Sequence, residues 1–343
     1  MATIHDVAKK AGVAPITVSR VINNSGYVSE KLRAKVNNAI NELGYVPNVL
    51  ARSLKSKRTN TIALVFTDIT NPFFNILARG VEDTASEAGY NVIFCNTDES
   101  QDQEDNYIQL LLQKQVDGIL LVPADVNSES INIIRKQNTP IVVIDRNVAH
   151  DNVDIVRGDS EGGAYNLTKH LIDLGHKRIT LIGGPEKVST SVDRVKGYQQ
   201  AMLDHGLDAF IDYYYGQYSV QSGTDLTNQV FSQEIKPTAI FGGNNLIAVG
   251  AMTALQELNI KVPDDVAVVS FDDIPNNLVP NPFLTAIVQP PYEIGQKATE
   301  LLLSRIQDEG ESEPAYQEIV FPVKLIVRAS SGGIIAENYT DIS

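Results

Sequence analysis

Residues 3–24, TIHDVAKKAGVAPITVSRVINN, decide the fold at the N-terminal end of this 343-residue chain. A first helix is predicted from four apolar residues that recur at helical spacing: Ile4, Val7, Ala8 and Ala11. Gly12 interrupts that pattern. A second helix is expected to begin near Pro15, because proline suits a first helical position, where the N–H it lacks would have no intrahelical partner. The stretch is therefore a predicted helix-turn-helix.

The second helix has two different faces. Its apolar side is expected to pack on the first helix and consists of Val18, Val21 and Ile22. Its other side carries Ile16, Thr17, Arg20, Asn23 and Asn24. Such a face suits the major groove of DNA, where the Arg20 guanidinium can fork onto guanine and Ile16 can touch a thymine methyl group. Thr17 and Asn23 are shorter, so we expect them to contact phosphates.

A third helix is predicted from Ser29, a suitable N-cap, to about Leu43, with Gly44 as the stop. The residues expected to point inward are Leu32, Val36, Ala39, Ile40 and Leu43. Three short helices in about 45 residues form a domain with little core of its own.

Charge is divided unevenly along the chain. Residues 1–60, which include the basic stretch RSLKSKR at 52–58, contain ten lysines and arginines against three acids, a net charge of +7. The whole chain carries −14, so the remainder carries −21. This asymmetry is expected when one module faces phosphates and the other does not, although a solvated basic face would have the same composition. Together with the helix-turn-helix, it predicts binding to double-stranded DNA.

The rest of the chain alternates between strand and helix patterns. Apolar runs typical of strands occur at 62–66, 91–95, 118–122 and 141–144, and helical stretches occur near 74–88, 106–114 and 129–137. The cycle repeats with strands at 179–182, 238–241 and 266–270. This alternation predicts an α/β core of two lobes, each with a doubly wound parallel sheet.

Nine segments resemble the lactose-repressor (LacI/GalR) family of bacterial transcription regulators and occur in the family's order. They are TIHDVAKKAGVAPITVSRVIN from Thr3, ELGYVPNVLARSL from Glu42, NPFF from Asn71, VDGILL from Val116, VVIDR from Val142, LGHKRITLIGGP from Leu174, RVKGY from Arg194, FGGNNLIAVGAMTAL from Phe241 and VPDDVAVVSFDDIP from Val262. They cover nearly the whole chain, which makes the resemblance specific for the family but not for its effector.

This resemblance implies a division into four parts. They are an all-α helix-turn-helix headpiece at 1–46, a hinge helix and linker at 47–59, a two-lobed effector-binding and dimerisation domain of periplasmic-binding-protein type at 60–330, and a tail at 331–343. It also implies that the chain crosses between the lobes near residues 160, 290 and 322. The function that follows is that of a sequence-specific DNA-binding regulator, with a repressor favoured over an activator. A small molecule bound between the lobes is expected to control its affinity for the operator.

Polar residues follow the predicted strands, where ligands of open α/β sheets gather. Four of them follow strands within three residues: Asp68, Asp145, Asn244 and Asp272. Arg194 is expected at the start of the helix after the strand at 179–182. The resemblance implies that these residues other than Asp68 reach the effector, while Phe73 or Phe74 packs on it. Carboxylates and a guanidinium pair with vicinal hydroxyls and an aromatic ring covers C–H groups, so the set suits a sugar or sugar derivative.

Each of these residues also has a structural interpretation. A single aspartate after a strand often caps a turn. We expect one of Phe73 and Phe74 to lie in the core and the other in the pocket, and the sequence does not say which. The convergence of the polar residues favours a pocket that includes Asp68.

The linker NVLARSL at 48–54 carries a second prediction. Asn48 can cap a helix of about two turns, which is marginal in water by itself. By resemblance, two such helices pair across a homodimer in the minor groove, and each inserts Leu54 to bend the operator. The alternative is that Leu54 is a core contact at the edge of the body. The residues predicted to contact DNA are then Pro15, Ile16, Thr17, Ser19, Arg20, Asn23, Asn48, Leu54 and Lys55.

Other features indicate no catalytic chemistry. The turn at 183–185 lacks a phosphate-loop pattern, and the five histidines lack the spacing of metal ligands. The acids at 99–105 are expected to be solvated residues at a helix start. The chain is therefore predicted to be no enzyme, with no cofactor and no metal.

The lone Cys95 and the lack of an apolar N-terminal segment or long apolar run predict a cytoplasmic protein without a membrane partner. A sugar-binding receptor or transport component with the same two lobes is the alternative, which the helix-turn-helix disfavours. A sugar-modifying enzyme is a weaker one. A phosphocarrier protein is a candidate co-regulator.

Three residues depart from the family pattern: Ala14 stands where Ser is common, Asn245 replaces the usual Asp, and Ser270 replaces a common Gly. Pro15 and Ile16 occupy the most variable base-reading positions. These departures leave the operator sequence and the effector open.

Overall fold

The computed structural model describes residues 2–46, 58–149, 152–274, 282–308 and 315–332. The chain divides into two compact units, Met1–Thr59 and Asn60–Ser343. Each unit is described by itself below, as the N-terminal unit and the body.

The N-terminal unit contains the three helices that the sequence predicts: α1 (Ile4–Ala11), α2 (Pro15–Ile22) and α3 (Glu30–Leu43). Helix α1 begins with a capping box, in which the Thr3 side chain accepts from Asp6 N–H and the Asp6 carboxylate accepts from Thr3 N–H. Gly12 and Gly44 end α1 and α3 with φ of 66° and 56°, a left-handed conformation that favours glycine.

The core of this unit is small and follows the predicted faces in most places. Its buried apolar residues are Val7, Ala8, Ala11, Val18, Val21, Val36 and Ala39. Leu32, predicted to point inward, is instead 37% exposed: it lies in the first turn of α3, whereas the buried residues of this helix, Val36 and Ala39, lie further along it. Ser29 stands at the predicted N-cap position, but its side chain makes no capping hydrogen bond.

The body begins with a first lobe of alternating strands and helices. Its elements are β1 (Thr61–Phe66), α4 (Pro72–Glu87), β2 (Asn91–Asn96), α5 (Gln101–Gln113), β3 (Gly118–Leu121), α6 (Glu129–Lys136), β4 (Ile141–Ile144) and β5 (Asp154–Gly158). The second lobe follows the same plan. Its elements are α7 (Ser160–Asp173), β6 (Ile179–Gly183), α8 (Ser189–Asp204), β7 (Asp212–Tyr215), α9 (Val220–Phe231), β8 (Ala239–Gly242), α10 (Asn245–Glu257), β9 (Ala267–Phe271) and β10 (Thr285–Val288).

Three further elements complete the lobes. They are α11 (Pro291–Gln307), β11 (Glu318–Phe321) and β12 (Lys324–Ile326). The first sheet has the order β11-β5-β4-β3-β1-β2 and the second β12-β10-β9-β8-β6-β7. All pairs are parallel except β10 with β12. The predicted α/β core with two doubly wound lobes is therefore confirmed, with one antiparallel edge strand.

The chain passes from one lobe to the other at three places. β5 belongs to the first sheet, and α7, which follows it, packs against strands of the second. β10 lies in the second sheet, and α11 returns to pack on α4 and the first sheet. β11 and β12 then belong to different sheets and are separated by Pro322 and Val323. All three passages lie at the same edge of the sheets, next to β5, β10, β11 and β12.

Helix packing in the body relies on glycines at the crossings. A Cβ on Gly80 would lie 2.2 Å from the Tyr292 carbonyl oxygen, and one on Gly295 would lie 2.2 Å from that of Leu77. These two glycines let α4 and α11 approach closely, so α11 anchors the first lobe although it follows the second in sequence.

Candidate functional site

A small cleft between the two lobes brings the predicted effector residues together. It has a volume of about 30 Å³, enough for a few water molecules but not for a sugar ring. Its walls contain Asp68, Asn71, Phe73, Phe74, Glu99, Asp145, Arg146, Thr190, Arg194, Tyr218, Asn244 and Asp272. All seven effector residues predicted from the sequence are in this set. Because the cleft is so small, a ligand of sugar size requires the lobes or the side chains to move.

Asp145 and Asp272 occupy matching places in the two lobes. Each follows the third strand of its sheet, counted from the edge at which the chain passes between the lobes, and each has a left-handed backbone, with φ of 66° and 63°. Burial raises the pKa of Asp145 to about 6, although Arg146 and Arg194 oppose that shift. Burial also raises the pKa of Asp272, against Arg194 and a hydrogen bond from Gln289 Nε2 at 2.7 Å. Both carboxylates are thus held where they lack full solvation.

Ser270 supports this arrangement in the second lobe. Its hydroxyl lies 2.9 Å from the Phe271 carbonyl oxygen and 2.8 Å from that of Asp272, and it can donate to either. The departure from the family's common glycine thus adds a hydrogen bond beside the left-handed residue.

Arg194 lies in the second turn of α8, not at its start as predicted, because α8 begins at Ser189. Its guanidinium stacks 3.8 Å from the centre of the Phe271 ring, donates to the Gly243 carbonyl oxygen at 2.6 Å, and lies 3.6 Å from Asp272. Its buried Nε–H has no hydrogen-bond partner within the described residues.

The cleft contains a second arginine that sequence reasoning missed. Arg146 is 3% exposed and forms a two-pronged ion pair with Glu99, at 2.8 and 2.5 Å. Burial acts to lower the pKa of Arg146, but the Glu99 carboxylate holds it above its usual value. The Arg146 Nε–H, like that of Arg194, is buried and without a partner in the described part of the chain. A useful sequence signal was available, since Arg146 directly follows Asp145.

The prediction that the acids at 99–105 are solvated is wrong for two of them. Glu99 pairs with Arg146 in the cleft. Glu104 is fully buried, where it accepts from Ala124 N–H at 2.7 Å and from the Ser128 hydroxyl at 2.5 Å. The reason is that α5 begins at Gln101, five residues before the predicted start, so its first turn packs against the loop at 123–128.

Three aromatic rings complete the wall of the cleft. Phe73 and Phe74 meet edge to face at 5.2 Å, and both line the cleft and belong to the core of the first lobe. The expected division of one core and one pocket ring is therefore wrong. Tyr218, which the sequence did not indicate, places its hydroxyl 3.1 Å from that of Thr190, and burial raises its pKa.

Two of the polar residues also have the structural role considered above. Asn244 caps α10 by accepting from Ile247 N–H at 2.9 Å, and Asp68 accepts from Thr70 N–H at 2.7 Å in a turn. Both roles are compatible with lining the cleft.

The N-terminal unit presents the predicted DNA face. Pro15, Ile16, Arg20 and Asn23 are exposed, Ile16 by 59%, while Thr17 and Ser19 are half-buried. Asn23 Nδ2 donates to the Ser19 hydroxyl at 3.2 Å. Ala14 precedes α2 and provides no side-chain cap. The predicted hinge residues Asn48, Leu54 and Lys55 lie outside the described residues.

A larger cavity of about 700 Å³ lies in the second lobe and shares no lining residue with the cleft. Mostly apolar residues such as Met252, Ile260 and Phe283 line it. Ile274 and Pro282, which also line it, flank residues 275–281, which lie outside the described ranges. Within the described residues, no acidic, His or Cys group is arranged to hold a metal ion, and no helix is long and apolar enough to cross a membrane.

Comparison with known families agrees with this architecture. Residues 59–328 match the family described as periplasmic binding proteins and sugar binding domain of LacI family. Residues 3–48 match bacterial regulatory proteins, lacI family. The chain belongs to the lacI family of bacterial regulatory proteins. The resemblance predicted from the sequence is thereby confirmed.

Three lacI-family relatives cover most of the chain. The ribose operon repressor of Escherichia coli (strain K12) is 40% identical over 308 residues, which are 89% of this chain and 93% of that protein. The lac repressor dimer bound to operator and the anti-inducer ONPF has a TM-score of 0.81 at 27% identity and covers 98% of this chain and 99% of that one. A lacI-family regulator of Enterococcus faecium with bound ribose has a TM-score of 0.70 at 32% identity, covering 79% and 98%.

Proposed function

We propose that the chain is a cytoplasmic repressor that binds operator DNA as a homodimer and releases or engages it when a neutral sugar occupies the cleft. The observation that carries the sugar site is the pair of buried Arg146 and Arg194 Nε–H groups that lack partners among the described residues, in a cleft walled by carboxylates. Unpaired buried donors are costly in a folded protein, and the hydroxyl oxygens of a sugar would satisfy them.

The charges of the cleft favour a neutral effector. Four carboxyl groups line it, from Asp68, Glu99, Asp145 and Asp272, against the two guanidinium groups. A phosphate would add negative charge to a site that already raises the pKa of Asp145, so sugar phosphates should bind poorly. Sugar hydroxyls donate to carboxylates and accept from arginines, and the C–H face of the ring can lie on Phe73 or Phe74.

Ribose is the first effector to test. The relatives include a ribose operon repressor and a regulator with bound ribose. The inference for this chain is that a pentose of this kind binds with Asp145, Arg194, Asn244 and Asp272 as its main polar partners.

A calorimetric titration of the full chain separates the classes of effector. Ribose, ribose 5-phosphate, cellobiose and hypoxanthine are titrated in turn, and only ribose is expected to bind tightly. Arg194→Ala and Asp272→Ala should each lose about 2 kcal/mol or more of binding free energy, because a polar group of the sugar is left unpaired. Arg79→Ala, on the exposed surface of α4, is the matched control and should bind as the parent does. Undiminished affinity in both cleft variants would place the ligand elsewhere.

The DNA-binding role is supported by the exposed face of α2 and by the net charge of +7 in residues 1–60. We infer that α2 enters the major groove, with Arg20 on a guanine, and that Asn48, Leu54 and Lys55 act at the minor groove of a bent operator. The lac repressor structure was solved as a dimer on operator. Co-regulation by a phosphocarrier protein stays a prediction.

Arg20→Ala tests the recognition helix. It should weaken operator binding by about 1 to 3 kcal/mol and relax the preference at one base pair in each half-site. A binding-site selection with the parent and the variant measures both effects. Lys31→Ala, which removes one charge from the exposed start of α3, is the control for a purely electrostatic loss. An unchanged sequence preference in the Arg20 variant would rule out base reading by this residue.

A further inference from the structure

Asn71 and Asn245 meet across the cleft. Asn71 caps α4 in the first lobe, and Asn245 is the first residue of α10 in the second. Asn245 Nδ2 donates to Asn71 Oδ1 at 3.2 Å, and the two residues are only 1% and 6% exposed. The bond therefore joins the lobes through two buried side chains.

Neighbouring main-chain groups fix the orientation of both amides. Asn71 Oδ1 also accepts from Phe73 N–H at 3.0 Å, so rotating this amide by half a turn would remove the cap of α4. Asn245 Oδ1 accepts from Leu246 N–H at 2.8 Å, while its Nδ2 also reaches the Asp273 carbonyl oxygen at 3.3 Å. The nitrogen of Asn245 thus faces two acceptors, and an oxygen in its place would be repelled by both.

We propose that Asn245 is a latch that holds the two lobes together and positions the first turn of α4, which carries Phe73 and Phe74. Among the described residues, two other bonds also join the lobes, from Asn147 N–H to the Ser189 hydroxyl at 2.8 Å and from Val126 N–H to the Lys187 carbonyl oxygen at 3.4 Å. Each of these uses a main-chain N–H. In the Asn245 bond the donor is a side-chain amide, so replacing Asn245 with aspartate would turn an attractive contact into a repulsive one.

The residue type at 245 sets the balance between closed and open lobes. Aspartate at 245, the usual residue of the family, would bring a carboxylate against Asn71 Oδ1 and the Asp273 carbonyl oxygen. Either the lobes separate, or Asn71 turns its amide and gives up the cap on Phe73 N–H. This inference concerns the chain without any effector, so it stands whether or not the cleft binds a sugar.

The distance between two spin labels reports the lobe arrangement. β2 and β7 lie at the sheet edges farthest from the three passages between lobes, so residues just beyond them move most when the cleft opens. Gln103→Cys and Gln221→Cys place labels on exposed positions there, while Cys95 is buried. Pulsed dipolar spectroscopy on the full chain, diluted with unlabelled protein, gives the closed and open populations without effector.

Asn245→Asp should lower the ratio of closed to open molecules by about tenfold, as expected when a buried donor is replaced by an acceptor. Asn245→Ala, which removes the donor without adding an acceptor, should shift the ratio in the same direction by less, and it serves if the aspartate variant does not fold. Asn71→Asp keeps an acceptor for both Phe73 N–H and Asn245 Nδ2, so it should leave the closed population dominant.

Asn228→Asp adds the same charge at an exposed position of α9 and should change nothing. Parental distances in both Asn245 variants would overturn the latch. So would an opening in Asn71→Asp or Asn228→Asp as large as that in Asn245→Asp, because added charge alone would then explain it.

Discussion

Asp145 shows how a single residue can make the cleft sensitive to pH. Its carboxyl group is buried beside two arginines, and its pKa of about 6 lies above that of an exposed aspartate. In the unfolded chain it would ionise near pH 4, so the folded state holds the proton more tightly. Its contribution to stability is therefore complete below pH 4 and is lost as the pH rises through 6.

Two measurements follow for Asp145→Asn. Without sugar, the variant should be more stable than the parent at pH 7.5, by about 2 to 3 kcal/mol, because it avoids a buried charge. Urea denaturation at pH 7.5 and pH 5.5 measures this difference, which should shrink at the lower pH.

With sugar, the parent's affinity should rise as the pH rises through 6, since the ionised carboxylate accepts hydroxyl donors on both oxygens, and the variant's affinity should not. A flat pH profile in the parent would contradict a direct contact between Asp145 and the sugar.

Individual cleft residues were predictable where they follow an apolar strand within one or two residues. Asp145, Asn244 and Asp272 are of this kind, and the structure places all three in the cleft. Tyr218 was missed because it follows β7, whose sequence DYYY lacks the apolar pattern of a buried strand. Glu99 was missed because a carboxylate at a helix start has an ordinary solvated interpretation, and only the folded chain brings Arg146 to it.

At the scale of elements, the helix and strand bounds that were predicted lie within about five residues of the observed ones, but no bounds were predicted for β10 or for α7 to α11. β4 was predicted with its observed bounds, and α1 likewise. The edge strands β7, β11 and β12 were not predicted, because they are short and half-exposed and so lack a long apolar run. β5 was missed for a different reason: two of its five residues, Asp154 and Arg157, are charged, and they are paired with Arg305 and Glu318 from distant parts of the chain.

Helix α2 offers a prediction about an element. Ala14 precedes it with extended backbone angles, φ −72° and ψ 149°, but has no side-chain acceptor for the free N–H groups of the first turn. Ala14→Ser should supply that acceptor and stabilise the N-terminal unit by about 1 kcal/mol. Thermal unfolding of the full chain, monitored by hydrogen exchange of the amides in residues 2–46, measures the change in stability of this unit alone.

The same substitution in the middle of α3 is the control. Ala34→Ser is exposed and has no helix end to cap, so it should destabilise α3 slightly through lower helix propensity. Opposite signs for the two variants would assign the gain to capping. Equal effects would show that Ala14 does not act as an N-cap.

On the scale of the whole molecule, the proposed DNA face and the cleft belong to different compact units. The boundary lies between Thr59 and Asn60, and most of the preceding segment, 47–57, is outside the described residues. The two sites share no element, and we expect any effect of a sugar on operator binding to pass through this covalent connection. By thermodynamic linkage, the operator must then change the affinity for the sugar by the same factor.

A flexible insertion at the boundary should therefore uncouple the two sites. With four residues, Gly-Ser-Gly-Ser, inserted between Thr59 and Asn60, sugar affinity measured by calorimetry should match that of the parent, since the cleft lies wholly in the body. The change in operator affinity caused by sugar, expected to be about 1 to 3 kcal/mol in the parent, should fall towards zero. Fluorescence anisotropy of labelled operator, with and without sugar, measures it. The same insertion between Glu234 and Ile235, in an exposed loop of the second lobe, should leave the coupling intact. Full coupling in the boundary variant would mean that the signal does not require a defined connection between the units.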